Sequence, residues 1–444
     1  MLKTEIEKSD CCGCGACYQI CAAKALSMRR DIDGFEYPVL DRERCSNCGR
    51  CKTVCPMNPT ALKRLKFLRA DNALAAVHKD AEILRRSSSG GAFSAVVGAV
   101  EEKSPCRIFG AEARGLFKIR HRYVSSASET AVFAKSKYIP SNTAETFSEA
   151  KAFLEKGETV VYSGTPCQIA ALKLFVGGRL SEKLFTIDFS CHGVGSPYSL
   201  KKYFSGVEAR FGRKIKKFDF RTKSRHLMVY SSQSSRFVFN DGSVRIRFRD
   251  PWFKGFVAAL YKRPSCVECP FSRPERISDI TLADFWGIER ISKNLDSGKG
   301  VSLLLANTEK GRSILPQMEK TAHIESFPFG ECAKYNIPLR GKVVPHPRAA
   351  EFRELIKSGY PFEYALRKVL GRPTWLMRAV SLFMDCLPVR VGHSVARRTK
   401  IFTGKVKKLI LSVLSDRSSS IILDKWARLN GRPPRPCGKG RRGK

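Results

Sequence analysis

The sequence predicts an α/β protein in three parts: a cysteine-rich head, a body of alternating strands and helices, and a basic helical tail. Three observations predict it. A Cys-x2-Cys-x2-Cys-x3-Cys run occurs twice before residue 60, short apolar runs alternate with amphipathic segments over 73–345, and Lys and Arg crowd the segment beyond. At 444 residues the chain is long enough for two or three domains with their own cores, so disulfides are not needed as staples. The 80 Lys and Arg against 41 Asp and Glu leave a formal charge of +39. That excess calls for an acidic partner: an anionic membrane face, a nucleic acid, an acidic electron-transfer protein or a phosphorylated cofactor.

The opening MLKTEIEKSD lacks the apolar run of a secretory signal. The best apolar stretch, WLMRAVSLFMDCL (375–387), is broken by Arg378 and Asp385, so no membrane span is predicted. The expectation is a cytoplasmic chain with reduced thiols, where clustered cysteines bind metal or do redox work.

The head, residues 1–60, carries Cys11, Cys14, Cys17 and Cys21, then Cys45, Cys48, Cys51 and Cys55 followed by Pro56. Thiolates at this spacing wrap one corner of a cubane, and in two-cluster ferredoxins the fourth Cys of each run serves the other cluster. The spacing therefore assigns Cys11, Cys14, Cys17 and Cys55 to one 4Fe-4S cluster and Cys45, Cys48, Cys51 and Cys21 to the second. Gly13, Gly15, Ala16 and Gly49 let backbone amides approach the cluster sulfurs. Zinc knuckles are the competing reading, but zinc sites normally use two separated CxxC pairs, often with His. Ala22 stands where the first run would have Pro, and Cys12 is an extra thiol. Between the runs, Asp33-Gly34 flanked by strand formers predicts a hairpin. Residues 56–72, with two prolines and several cations, read as a linker.

In the body, 73–345, the segments 72–78, 105–113, 158–164 and 183–190 read as strands, while 144–157 and 168–178 have helical spacing. The alternation predicts a buried, largely parallel sheet. Cys167 and Cys191 follow strands, where open α/β sheets build sites, and Cys266 and Cys269 form a CxxC pair. Spacing leaves two readings for these four: a further metal site, or ordinary buried thiols. His192 is either a proton donor beside them or structural. The run RRSSSGGAFSAVVGAV (85–100) opens a helix on free amides that would suit a phosphate, or is a plain capped turn. Lys137, Tyr138, Ser141 and Asn142 offer a cation, an aromatic face and hydrogen-bonding groups, in a cofactor site or a surface loop.

Taken in order, SSSGGAFSA, KSKYIPSN, SGTPCQIAAL, IDFSCHGVGSP, CVECPFSRPERISDITLADFWGI and GVSLLLANTEKG resemble the coenzyme F-420 hydrogenase/dehydrogenase beta-subunit family over 73–310. The resemblance implies an α/β flavin-binding domain behind a ferredoxin-like iron–sulfur head. It implies an FAD-containing oxidoreductase that passes electrons between clusters, flavin and either the deazaflavin coenzyme or another small molecule. It further implies that Cys167, Cys191, Cys266 and Cys269 hold a third cluster. Ser89, Gly90, Gly91, Lys137, Tyr138, Ser141 and Asn142 become flavin-binding candidates, with Asp284 and Trp286 lining the site. Ala283 departs from the Gly that commonly precedes the Asp in relatives, which would narrow the space there.

The tail, 346–444, includes RRTKIFTGKVKKLILSVLSDR (397–417), a basic amphipathic pattern that could lie on an anionic membrane at the inner face or pack on the body. The final GRPPRPCGKGRRGK reads as disordered. Three functions compete: a flavin and iron–sulfur oxidoreductase, a relay subunit of a larger redox complex, and a zinc-containing nucleic-acid binder. Against the last stand the two cluster runs and the lack of aromatic–basic platforms in the head.

Overall fold

The computed structural model describes residues 7–223, 234–292, 294–295 and 299–371. The chain divides into two compact units, Met1–Cys386 and Leu387–Lys444. The second unit, and with it the amphipathic pattern at 397–417 and the Pro- and Arg-rich end, lies outside the described residues, as does the apolar stretch at 375–387.

In the head, strands β1 (Leu26–Arg30) and β2 (Glu36–Leu40) pair antiparallel, with Leu26 opposite Leu40. The Asp-Gly turn forms as expected, because the Asp31 carboxylate accepts from the amides of Asp33 and Phe35, each at 3.0 Å.

The body strands are β3 (Asn72–His78), β4 (Cys106–Ala113), β5 (Ile119–Val124), β6 (Thr159–Ser163), β7 (Leu184–Phe189), β8 (Ile215–Asp219), β9 (Ser235–Phe239), β10 (Val244–Arg247), β11 (Ile280–Asp284), β12 (Ser302–Ala306) and β13 (Ala322–Pro328). Eight of them form one sheet in the order β13-β3-β12-β11-β7-β6-β4-β5, and β10-β9-β8 form a small antiparallel one. Only the centre, β4-β6-β7-β11, is parallel; β5, β12, β3 and β13 run antiparallel to their neighbours. The expectation of a largely parallel sheet is thus corrected to a mixed one. The physical reason is link length: a parallel pair needs a crossover of a dozen or more residues, usually with a helix, which the 114–118 turn between β4 and β5 cannot supply.

Helices cover both faces, as the all-apolar β6 requires. Val161 faces a layer with Val96, Val97 and Val100 of the helix Ala92–Lys103, whereas Val160 faces Ile169, Leu172 and Phe175 of the helix Pro166–Val176. The head packs into this second layer through Ala16, Val54 and Ala61. The expected linker is drawn into the packing too: Leu68 and Arg276 exchange backbone hydrogen bonds of 2.7 and 2.6 Å, and Phe67 stacks on Phe271 at 6.3 Å. Beyond residue 345, the helices Ala349–Lys357 and Phe362–Leu370 bury Phe352, Leu355, Phe362 and Leu366 in an aromatic core with Tyr203, Trp252 and Phe237. No described helix is long and apolar enough to cross a membrane.

Candidate iron–sulfur and flavin site

The two head repeats fold alike. Gly15 and Gly49 take positive φ, and each starts a four-residue helix, Ala16–Gln19 and Arg50–Thr53, that carries Cys17 and Cys51. Burial pushes the Cys17 thiol far up, and the neighbouring Cys11, Cys55 and Cys51 add to it. The hydrogen bond from Cys12 lowers Cys14, but burial with Cys55 and Cys17 raises it overall. Burial, Cys11 and Cys51 raise Cys55. Thus Cys11, Cys14, Cys17 and Cys55 crowd one another. Cys51 is raised by burial and feels Cys48 and Cys21. Cys48, the exposed thiol, is lowered by the Arg50 amide, and the Cys21 sulfur accepts from the Ala25 amide at 3.3 Å.

The body cysteines converge as well. β6 ends at Ser163, Thr165 and Gln168 close a capping box, and Cys167 falls in the first turn of Pro166–Val176, where free amides favour a thiolate. Thr165 Oγ1 lies 3.2 Å from its sulfur. Cys191 follows β7, and its sulfur accepts from the Gly193 amide at 3.3 Å. Burial, then Cys266, Cys167 and Cys269, push Cys191 far up. Cys266 is pushed up to about 12 and Cys269 to about 11, each by burial first and with Cys167 among the further causes. Buried thiols packed together resist ionisation unless a cation compensates, so both sets suit iron, which displaces the protons. Among the described residues no group of three or more His, Cys, Asp or Glu could hold a single metal ion. A cubane, which gives each thiolate its own iron, suits such wider spacing. The cysteines among the described residues are all free thiols.

Cys12, noted as a surplus thiol, joins the two sets. It interacts with both Cys14 and Cys167, and the Cys14 thiol and then burial hold its pKa well above the ordinary value, against the lowering effect of Cys167.

A third constellation gathers the remaining motifs. Arg221, beyond β8, donates to both oxygens of Asp284 at 2.6 and 3.2 Å and to the Ser88 carbonyl at 3.2 Å. The Ser136 amide donates to Ser88 Oγ at 2.8 Å, and Lys223 donates to the Ser89 carbonyl at 2.6 Å. Tyr138 packs edge-on against Phe220, Phe253 and Phe256; burial raises its phenol, and Arg221 partly offsets this. Gly90 presses on the sheet so closely that a Cβ would lie 2.1 Å from the Ala76 carbonyl oxygen, and a Gly91 Cβ would lie 2.9 Å from His78. Trp286 is half-buried just past Asp284, and Ala283 pairs with Leu303. Ser89, Gly90, Tyr138 and Asp284 are therefore brought together around Arg221.

Ser141 and Asn142 are engaged elsewhere. Ser141 accepts from Gln168 through both its carbonyl and its hydroxyl, and Asn142 donates to Glu36 of the head at 2.8 Å. Lys137 is buried on the carbonyls of Phe133 and Ala134, and that burial pushes it down to about 7.

Four buried polar atoms lack a hydrogen-bond partner in this region among the described residues: Ser190 Oγ, His192 Nδ1, Lys262 Nζ and Arg221 Nε. Lys262 lies over the Phe256 ring at 4.8 Å; burial lowers it to about 8, although Cys266 and Cys191 raise it. Burial, then Lys262, lowers His192 to about 4, which leaves its imidazole neutral. Orphaned donors beside an aromatic wall suit a polar ring system such as a flavin. Sequence reading missed Arg221, Lys223, Lys262 and Arg263. The last two stand immediately before PSCVECP, so a cation pair ahead of a CxxC was a usable signal; Arg221 in FDFRTKS had none.

A separate surface pocket of about 460 Å³, lined in part by Arg120, Arg122 and Glu149, opens at β5 and includes no cysteine.

Residues 157–331 match the family described as the C terminus of the coenzyme F420 hydrogenase/dehydrogenase beta subunit, and residues 10–58 match the 4Fe-4S dicluster domain. The chain belongs to the coenzyme F420 hydrogenase/dehydrogenase beta-subunit family, with a 4Fe-4S dicluster domain as its head. The 157–331 match spans all four body cysteines, and the 10–58 match spans all eight cysteines of the two head runs. Among solved structures, a chain of the xenon-derivatised F420-reducing NiFe hydrogenase complex from Methanosarcina barkeri is similar at 19% identity, covering 69% of this chain and 94% of that one with a TM-score of 0.40, too distant to carry an argument. Among curated proteins no relative matches.

Proposed function

We propose that this family member is a flavin-dependent iron–sulfur oxidoreductase, which moves electrons between ferredoxin-type 4Fe-4S clusters and FAD to reduce or oxidise a small molecule. The observation that most supports this is Cys12, set between Cys14 of the head and Cys167 of the body. In this reading Cys21, Cys45, Cys48 and Cys51 hold an outer cluster, Cys11, Cys14, Cys17 and Cys55 an inner one, and Cys167, Cys191, Cys266 and Cys269 a third. Single electrons then have a line of stations from the exposed Cys48 edge to the centre of the body sheet.

Ser89, Gly90, Gly91, Tyr138, Asp284 and Trp286 would hold FAD around Arg221. Lys137, Ser141 and Asn142 serve as supports, since their polar groups already hold Phe133, Gln168 and Glu36. When bound, the flavin supplies the conversion between an electron pair, exchanged as hydride with an organic molecule, and the single electrons that clusters carry. The chain's own residues orient it. Asp284 fixes the Arg221 fork, Lys262 and His192 present donors, and the Tyr138, Phe253 and Phe256 rings exclude water.

A relay subunit of a larger redox complex is the second reading. The exposed Cys48, with Arg44, Arg50 and Lys52 exposed nearby, favours it as a face suited to an acidic electron-transfer protein.

Anaerobic purification with iron, sulfide, zinc and flavin analysis tests the proposal. About twelve iron per chain with one FAD is the expected result for three 4Fe-4S clusters. About eight iron would remove the third cluster, and zinc without flavin would overturn the reading. Turnover by the chain alone separates the enzyme from the relay.

A further inference from the structure

Arg263 is 1% exposed, yet no carboxylate lies within ion-pair distance of it among the described residues. Its Nε donates to the Cys11 carbonyl at 2.7 Å, and its Nη2 donates to the Glu36 carbonyl at 2.8 Å and approaches the Cys11 sulfur at 3.6 Å. The guanidinium lies 4.2 Å from the centre of the Tyr37 ring and 5.4 Å from that of Phe35. Gly13 makes room for it, since a Cβ there would lie 2.7 Å from Nη1. At its other end Arg263 belongs to the body: its amide donates to the Val194 carbonyl, and its own carbonyl accepts from the Cys266 amide, both at 3.0 Å.

A buried guanidinium without a carboxylate is costly unless negative charge is supplied in another form. The groups that can supply it here are sulfurs: Cys11 in contact, with Cys12 and Cys266 within electrostatic reach. A cluster bound by thiolates carries net negative charge, and hydrogen bonds to its sulfurs favour the reduced, more negative state.

We propose that Arg263 is the positioning residue between head and body, acting as the countercharge that raises the reduction potential of the head cluster bound through Cys11. This rests on the cluster assignment proposed above. It separates the two head clusters energetically: the one adjoining the body becomes the better electron acceptor, and the outer one, which Arg263 does not touch, keeps its potential. Tyr37 and Phe35 screen the guanidinium from water, so its charge acts on the sulfur with little attenuation.

The test is a potentiometric EPR titration of the anaerobically prepared full chain, with iron analysis of each variant. Arg263→Gln removes the charge. It is expected to lower the reduction equilibrium constant of one head cluster at least tenfold, about 59 mV for a one-electron couple, while the other head cluster stays in place. Arg263→Lys keeps the charge but cannot span the Cys11 carbonyl and sulfur together, so it shifts the same signal in the same direction by less. If the Gln variant loses the head cluster, the Lys variant and its iron content decide. Unchanged potentials in a fully loaded variant overturn the proposal, as does an equal shift of both head clusters. Iron of about eight per chain in the unsubstituted protein would remove the third cluster and leave the Arg263 measurement intact.

Discussion

Arg276 donates through Nη2 to Asp188 Oδ2 at 2.9 Å, and both side chains are shut off from solvent. The same guanidinium donates to the carbonyls of Phe189 and Phe271 at 3.1 and 2.9 Å, which ties the end of β7, just before Cys191, to the segment just after Cys269. Removing one partner of a buried pair leaves the other charge uncompensated, at roughly 3–5 kcal/mol. Arg276→Met is therefore expected to lower stability by that amount in chemical denaturation. It should also loosen the body cysteines, and iron analysis of the variant should show retention falling at the body while the head keeps its own.

A smaller change should reach the body site without touching the ion pair. Gly193 has φ +89, and a Cβ there would lie 2.9 Å from Cys266 Cβ and 3.2 Å from its sulfur. Gly193→Ala should cost about four iron per chain with both head EPR signals preserved. Full iron loading in this variant would contradict the assignment of Cys191 and Cys266 to one cluster.

Two glycines near one helix should respond in opposite ways. A Cβ on Gly90 would lie 2.1 Å from the Ala76 oxygen and 2.5 Å from the Ser302 nitrogen, so β3 and β12 would have to move. Overpacking costs about 1–3 kcal/mol where side chains can yield, and backbone yields less, so Gly90→Ala should lose at least that much. Gly98, inside the helix Ala92–Lys103, has nothing within 4 Å of an added Cβ. Gly98→Ala should be neutral or stabilise by about 0.5–1 kcal/mol. Thermal melts of the pair, with flavin content measured on each, check both the packing and the cradle.

His121 predicts an acid-sensitive fold. It is buried, with Nε2 3.1 Å from the Ser163 carbonyl oxygen, and burial with help from Lys137 pushes it down to about 4. An unfolded His titrates near 6.5, so as pH falls the unfolded chain takes the proton first. The His121 contribution is whole above pH 6.5 and is lost as pH falls through about 4, roughly 3 kcal/mol in all. His121→Asn should flatten this part of the stability curve, read from denaturant midpoints between pH 7 and 5.

Where chemistry depends on residues close in sequence, the sequence was enough. The head runs place their thiols within a few residues of one another, so spacing alone marked the cluster cradle and its repeat. The strands at 72–78, 158–164 and 183–190 were equally legible, because β6 and β7 are covered on both faces and must be apolar throughout. The mixed sheet was less so: strand direction depends on link length and pairing, and apolar runs carry neither.

The tertiary structure decided how the pieces meet. Cys167, Cys191 and the Cys266–Cys269 pair come from strand ends and a loop far apart in the chain, and they converge because β6, β7 and β11 lie side by side. Arg221 reaches Asp284 across 63 positions, and Arg263 reaches Cys11 across 252. A buried cation and its countercharge need only be close in space, and nothing in the local sequence around either records the other. The eight head cysteines were thus set by covalent proximity, and the link from head to body by packing.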